Sequence, residues 1–480
     1  MFLLRIATVL TLCLACVGCE PKPIPPADNS TAVQKERPPL RVWIVDAPEL
    51  EKELLTRWRA SSDQALAIEN VSSKDLFDGR AFAFDTILFP GNLLGDMVER
   101  DIVSKLPSQV TMQGTSESSA KSTQPGTRDE SSNESQEDVS KNWPDRFRSS
   151  ASYAGKLYAV PLGSNAMALV SKGMDVASLT ELHSNLAMPQ GTTAKSLELW
   201  ESWLRSVESG ADVTKSENLL SDRIEQAGEL EKQRLVDQFL WIASTTDKQR
   251  RGLFDLAKMQ SRLKEPEFIY SVKVLARLAR LFPEAVFSPA EDAWAAAGAG
   301  SKDSKFIALG WPSAVSRQND SQSDSPSETD GNVQVVPILW NPNRGLVASI
   351  GKGTRQTSVS IQFLRWLSLP EQREALRSVC SRVELLADQP DRNIVREDYQ
   401  KYTVVLNRPV PQDGMPWSLR LVHSLDYREA LADALLRAIR TPDQADKIMA
   451  GCSQKWNELT ESFGKDKQLS SEERSQGFQK

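Results

Sequence analysis

Apolar positions along the chain alternate between short continuous runs and runs of helical spacing. Leu40-Arg41-Val42-Trp43-Ile44-Val45 is β-rich and stops at Asp46-Ala47-Pro48, after which residues 49–60 place Leu50, Leu54, Leu55 and Trp58 at helical intervals. A second apolar strand over 84–89 is halted by Pro90-Gly91-Asn92, and a helix-like pattern over 93–103 follows it. Strands alternating with helices predict a parallel α/β sheet. The middle is helix-rich, with helical spacing over 197–207, 235–242 and 271–281, and strand-like runs return at 306–312, 333–339 and 345–350. Amphipathic helices are predicted over 359–367 and 431–439, and a last one over 443–459. No internal repeat of fixed period is present.

Three polar stretches interrupt this pattern. Residues 108–141 and 316–332 are dominated by Ser, Gln, Glu, Asp and Gly, cannot bury enough apolar surface to offset their ordering entropy, and are expected to be disordered surface insertions. Residues 464–480 read as a polar tail. At the other end, 1–18 has one basic residue, Arg5, then an apolar run and small residues up to Cys19. That is the form of a signal peptide, shorter than the ~20 residues of a membrane span. Cys16-Val17-Gly18-Cys19 resembles a bacterial lipobox, with Cys16 where leucine is usual. The resemblance implies that Cys19 is lipidated and becomes the mature N-terminus, its diacylglycerol and amide-linked chain meeting the two-signal requirement for stable anchoring. The two CxxC readings at Cys13, Cys16 and Cys19 are set aside, since a redox or metal site needs a folded context. Residues 20–39 hold prolines at 21, 23, 25, 26, 38 and 39, and such a chain is an extended tether of ~3.1 Å per residue.

At 480 residues the chain exceeds one domain of ~100–200, so two or more packed units are expected. A net charge of -6 offers no basic field, and no nucleic acid is expected as a partner. The two histidines, His183 and His423, form no HExxH pair, and no metal site is read. No GxSxG elbow occurs, the one SxxK match (Ser118 to Lys121) lies in an insertion, and Gly298/Gly300 and Gly351/Gly353 lack the rest of a phosphate cradle. No cofactor and no catalysis are read from this. Glycosidic carboxylates need only ~5–9.5 Å of separation in space, so an envelope carbohydrate hydrolase stays as an alternative.

The order of further segments carries a resemblance. Tyr153-Ala154-Gly155-Lys156-Leu157-Tyr158-Ala159-Val160-Pro161 resembles the GKxYxVP segment of bacterial extracellular solute-binding proteins (family 1, the sugar type), the receptors of ABC importers. Residues 197–204, Pro266-Glu267-Phe268 with the helix behind it, 293–312, 333–337, 346–372 with Pro370-Glu371-Gln372, and 443–457 are similar to that family's later blocks, in order. Two departures stand out: the polar insertions, and the absence at 167–171 of the Tyr-Asn pair usual after the first crossing between lobes.

The resemblance implies an α/β, two-lobed periplasmic-binding-protein-like (type II) fold with discontinuous lobes and a helical C-terminal part. Lobe 1 would span 40–160 and lobe 2 161–339, with a return to lobe 1 over 340–395 and C-terminal helices over 396–463 on lobe 2. It implies a monomer that closes on a small-molecule solute, a sugar or oligosaccharide, and docks on ABC permease subunits. A sensor or assembly lipoprotein on the same fold is the other alternative. Ligands of open α/β lobes bind beyond the carboxyl ends of strands, which makes Asp46 and Asn92 candidates in lobe 1, although Asn92 could instead cap the helix behind it. Ser164 and Asn165 lie just past the first crossing, where a plain turn is the other reading. Twelve tryptophans suit a sugar, whose faces stack on aromatic rings. Trp58, Trp200, Trp203, Trp241, Trp366 and Trp456 sit in amphipathic helices and are expected in the core. Trp311, Trp340 and Trp417 stand at loop starts and are the stacking candidates. Arg344 could bind an anionic group or pair with an acid. Cys380 and Cys452 could form one disulfide or remain two buried thiols. His423 is expected to be a packed helical residue.

Overall fold

The structure is a computed structural model that describes residues 37–77, 82–113, 137–138, 143, 145–163, 168–172, 193–208, 213–246, 252–287, 306–310, 333–337, 345–380, 383 and 419–475. The leader, Cys19, nearly all of the tether, residues 114–136 and 139–141 of the first insertion and all of the second lie outside these residues.

One sheet has five strands. Leu40–Val45 lies between Leu66–Val71 and Thr86–Pro90, parallel to both, with Val42 opposite Ile68 and Thr86. Leu346–Ile350 then pairs antiparallel with Thr86–Pro90, and Val160–Pro161 pairs antiparallel with Leu346–Ile350. The expected parallel sheet is therefore mixed, its two antiparallel strands being those that flank the middle of the chain. Both faces are covered. Leu40, Val42 and Ile44 pack with Trp58 of helix Leu50–Ser61 and Phe363 and Leu367 of helix Thr357–Ser368, while Trp43 and Val45 pack with Leu94 and Met97 of helix Leu94–Glu99. A strand buried on both sides reads as a continuous apolar run, which is why Leu40–Val45 was visible in the sequence. Just ahead of Thr86–Pro90, buried Asp85 accepts from Arg41 Nε at 3.0 Å, Arg41 N at 3.1 Å and Thr354 Oγ1 at 2.8 Å. Burial alone would raise its pKa; these donors outweigh burial and hold the carboxyl below its ordinary value.

A second, three-stranded sheet sets Ala168–Lys172 between Phe306–Gly310 and Val333–Pro337, antiparallel to both. A helical core joins Thr193–Glu208, Glu229–Thr246, Pro266–Leu281, Ser424–Arg440 and Ala445–Phe463 through Trp200, Trp203, Phe239, Phe268, Leu275, Tyr427, Leu431 and Trp456. Two of its indoles are satisfied internally, Trp200 Nε1 donating to Thr245 Oγ1 and Trp456 Nε1 to Tyr427 O, each at 2.9 Å. Arg428 and Asp237 form a buried ion pair at 2.8 Å inside the same core. Trp58, Trp200, Trp203, Trp241, Trp366 and Trp456 are all buried, as their helical spacing required.

Several elements depart from expectation. Leu66–Val71, Asp145–Ala151 and Val213–Gln226 had not been read as elements. Met112–Gln113 pairs with Glu137–Asp138, so the first insertion is pinned near both ends. Lys465–Ser475, expected within a polar tail, is a helix that buries Gln468, Ser471 and Glu472. Cys380 and Cys452 are free thiols, Cys380 beside the five-stranded sheet and Cys452 in the helical core.

Candidate ligand cleft and hinge

Leu40–Val45 and Thr86–Pro90 are parallel neighbours, so the residues that follow them emerge on one edge of the sheet. Asp46 follows the first with φ 54, in the left-handed region that aspartate tolerates better than most residues. Its N–H donates to Val71 O at 3.1 Å, and its Oδ1 accepts from Ser73 N at 2.9 Å. The carboxylate thus fixes the turn after Leu66–Val71 while standing at the strand-end lip. Asn92 follows the second strand in a single 3-10 turn, Gly91–Leu93, and is half-buried. Neither this turn nor helix Leu94–Glu99 has a side-chain cap bond. The capping role for Asn92 is thereby corrected, because the turn begins at Gly91 and the helix continues from it without a separate cap.

The two chain crossings lie side by side at this edge. Val347 stands opposite Pro161 and Ala348 opposite Val160, Leu162 N donates to Leu346 O at 2.8 Å, and Gly91 N donates to Gly345 O at 2.9 Å. The GKxYxVP segment builds the first crossing. Tyr153 pairs with Lys156 around Ala154 and Gly155, whose φ values of 49 and 68 make the left-handed two-residue turn that such a hairpin favours. Beyond it the chain enters Val160–Pro161 and reaches the middle of the protein.

Arg373, which sequence reasoning did not single out, belongs to this joint. It lies in helix Pro370–Val379, fully buried, and its guanidinium donates to Leu162 O at 3.2 Å and to Pro161 O. Burial lowers its pKa to about 10, so it remains a cation at neutral pH. Its five donors in a rigid fork suit two successive carbonyls, and nothing in the apolar pattern of the helix announces such a role. His423 precedes helix Ser424–Arg440 in a left-handed conformation rather than lying within a helix, its ring stacked on Phe463 at 3.6 Å.

The structure therefore brings Asp46, Asn92 and the two crossings to one edge. Ser164, Asn165, Trp311, Trp340, Arg344 and Trp417 lie outside the described residues. Among the described residues no group of three or more His, Cys, Asp or Glu side chains could hold a metal ion, and no helix is long and apolar enough to cross a membrane.

A crossed two-sheet chain of this kind has solved counterparts. A putative oligosaccharide periplasmic-binding protein from Synechococcus sp. MITs9220 matches with a TM-score of 0.53 at 12% identity, covering 88% of this chain and 99% of its own. The chain has the two-lobed fold of periplasmic solute-binding proteins. The ABC transporter solute binding protein from Agrobacterium radiobacter K84, in complex with ribitol, matches with a TM-score of 0.50 at 13% identity over 88% of this chain and 98% of its own. A third, from Agrobacterium vitis S4 with bound D-mannitol, matches at 0.50 and 11% identity over 88% and 99%. No family model and no curated protein matches the sequence. Asp46 and Asn92 stand beyond the carboxyl ends of parallel strands, the kind of position at which open α/β sheets receive ligands.

Proposed function

We propose that this chain is an extracytoplasmic solute receptor that captures a sugar, polyol or oligosaccharide by closure of its two lobes and delivers it to an ABC-type permease. The observation that carries the reading is the joint itself: two antiparallel crossings side by side, next to the strand ends that present Asp46 and Asn92. Paired crossings let one lobe rotate on the other as a hinge, and bound solute then selects the closed arrangement by its higher affinity for it. The ribitol, D-mannitol and oligosaccharide named for the matched structures favour a polyhydroxylated solute. Asp46 and Asn92 would bind hydroxyls from lobe 1, with Ser164, Asn165, Trp311, Trp340, Arg344 and Trp417 completing the site from the crossings and lobe 2. Lipid on Cys19 would anchor the receptor in the cell envelope, and the proline-rich tether would hold it off the membrane. The receptor acts as a monomer without catalysis or cofactor.

The test is thermal unfolding of the full chain against sugars, polyols, oligosaccharides and amino acids. A solute at about 100 times its Kd adds about 2.7 kcal/mol to the folded state and raises the midpoint. A shift with one polyhydroxylated solute supports the reading, whereas a flat panel on folded protein sinks it.

A further inference from the structure

The C-terminal segment touches both lobes away from the candidate cleft. On one side it belongs to the helical core, where Leu419, Leu421, Tyr427, Leu431 and Trp456 are buried. On the other side it is fastened to lobe 1 by polar contacts at three places. Asp96, buried in helix Leu94–Glu99, accepts from His423 N at 3.0 Å through Oδ1 and from Ser424 N at 3.0 Å and Ser424 Oγ at 3.2 Å through Oδ2. Helix Ser424–Arg440 has no side-chain cap of its own, so its first N–H groups are capped by lobe 1. Arg420, also buried, donates to Ser149 O, Ser150 O and Ser152 O at 2.9–3.3 Å and so closes the last turn of helix Asp145–Ala151.

The third place is helix Lys465–Ser475. Arg474 forks onto Glu99 with Nε–Oε1 at 2.6 Å and Nη2–Oε2 at 2.7 Å. The Tyr153 hydroxyl lies 2.8 Å from Glu99 Oε1 and 3.0 Å from Ser471 O, and Ala154 N donates to Arg474 O at 3.3 Å. Ser471 Oγ in turn accepts from Val422 N at 3.1 Å. The short helix therefore bridges the lobe 1 hairpin and the turn that opens helix Ser424–Arg440.

We propose that residues 419–424 and helix Lys465–Ser475 form a strap that sets the resting angle between the lobes. A rotation about the crossings at Pro161–Leu162 and Gly345–Leu346 must carry these contacts with it or break them. Their strength, not only the cleft, then decides how much of the unliganded population is ready to close. An equilibrium of this kind moves only by differential interaction energy, and a bidentate Arg–carboxylate pair supplies such a difference. The strap rests on the lobe-closure reading above but requires no solute for its test.

Small-angle X-ray scattering of the full chain without ligand reads the lobe arrangement directly. Arg474→Glu places two carboxylates together and is expected to shift the radius of gyration from that of the parent protein, and Glu99→Arg with Arg474→Glu is expected to restore it. Unchanged scattering for folded Arg474→Glu, or a shift that the charge swap does not reverse, overturns the strap. If Arg474→Glu fails to fold, Tyr153→Phe removes only the shared hydroxyl, and unchanged scattering for it overturns the proposal equally. A flat solute panel would sink the receptor reading and leave this result standing, so the two failures are distinguishable.

Discussion

Asp96 caps a helix that begins 328 residues further along the chain: its Oδ2 accepts from Ser424 N at 3.0 Å. The same carboxylate accepts from His423 N and from Arg100 Nε. A buried acceptor that satisfies several donors is costly to remove, because each donor is left without a partner.

Asp96→Ala is accordingly expected to lower the free energy of unfolding by about 1–3 kcal/mol, the range for a lost cap together with unsatisfied buried donors. Urea denaturation checks this, and a loss below about 0.5 kcal/mol would mean that the cap contributes little.

Gly95, its neighbour, makes a sharper test because two principles disagree. Helix propensity favours Gly→Ala in a helix by about 1 kcal/mol. A Cβ on Gly95, however, would lie 1.6 Å from Arg420 O, a backbone atom. Gly95→Ala is therefore expected to destabilise by about 1–3 kcal/mol through overpacking, and a raised unfolding midpoint would contradict the close approach of the C-terminal segment to helix Leu94–Glu99.

Much of the five-stranded sheet was legible because its strands Leu40–Val45, Thr86–Pro90 and Leu346–Ile350 are buried along almost their whole length. Leu66–Val71 was not, since it is an edge strand whose burial alternates and whose Glu69 and Asn70 face solvent. Lys465–Ser475 escaped for a different reason: what it buries is Gln468, Ser471 and Glu472, so no apolar period marks it. The strand-end rule placed Asp46 and Asn92 just beyond their strands, and the structure has them there. Arg373 was beyond reach because its partners are backbone carbonyls brought close only by the tertiary fold, and Asp96 because His423 N, Ser424 N and Ser424 Oγ reach it from more than 320 residues away.

Asp85 gives a pH dependence of known sign. Its folded pKa is held below the ordinary aspartate value of about 3.9, so the stabilisation is fully present above that value and is lost as pH falls through the lower folded pKa. Asp85→Asn should thus be less stable than the parent protein at pH 7, and the gap should narrow below about pH 4. A gap that stays constant down to pH 2.5 would show that the Arg41 pairing does not carry the effect.

Cys380 and Cys452 are buried, and burial pushes the Cys452 thiol up to about 12. Only thiolate reacts readily with a disulfide reagent. Both residues should resist modification in native protein and react after denaturation without reductant, whereas a need for reductant would reveal a bridge.

Arg373→Lys should weaken the joint, because one ammonium cannot fork onto Pro161 O and Leu162 O as the guanidinium does. A loss of about 1–2 kcal/mol in urea denaturation is expected, and a neutral substitution would remove the fork from the account of the hinge.

The central claim is capture of a polyhydroxylated solute without turnover. Isothermal titration of the full chain with ribitol, D-mannitol and a series of oligosaccharides, followed by chromatography of the same cell contents, tests it most directly. The account predicts saturable heat at one solute per chain for one member of the series, with that solute recovered intact. No binding heat from any of them, or recovery of a cleaved product, would contradict it.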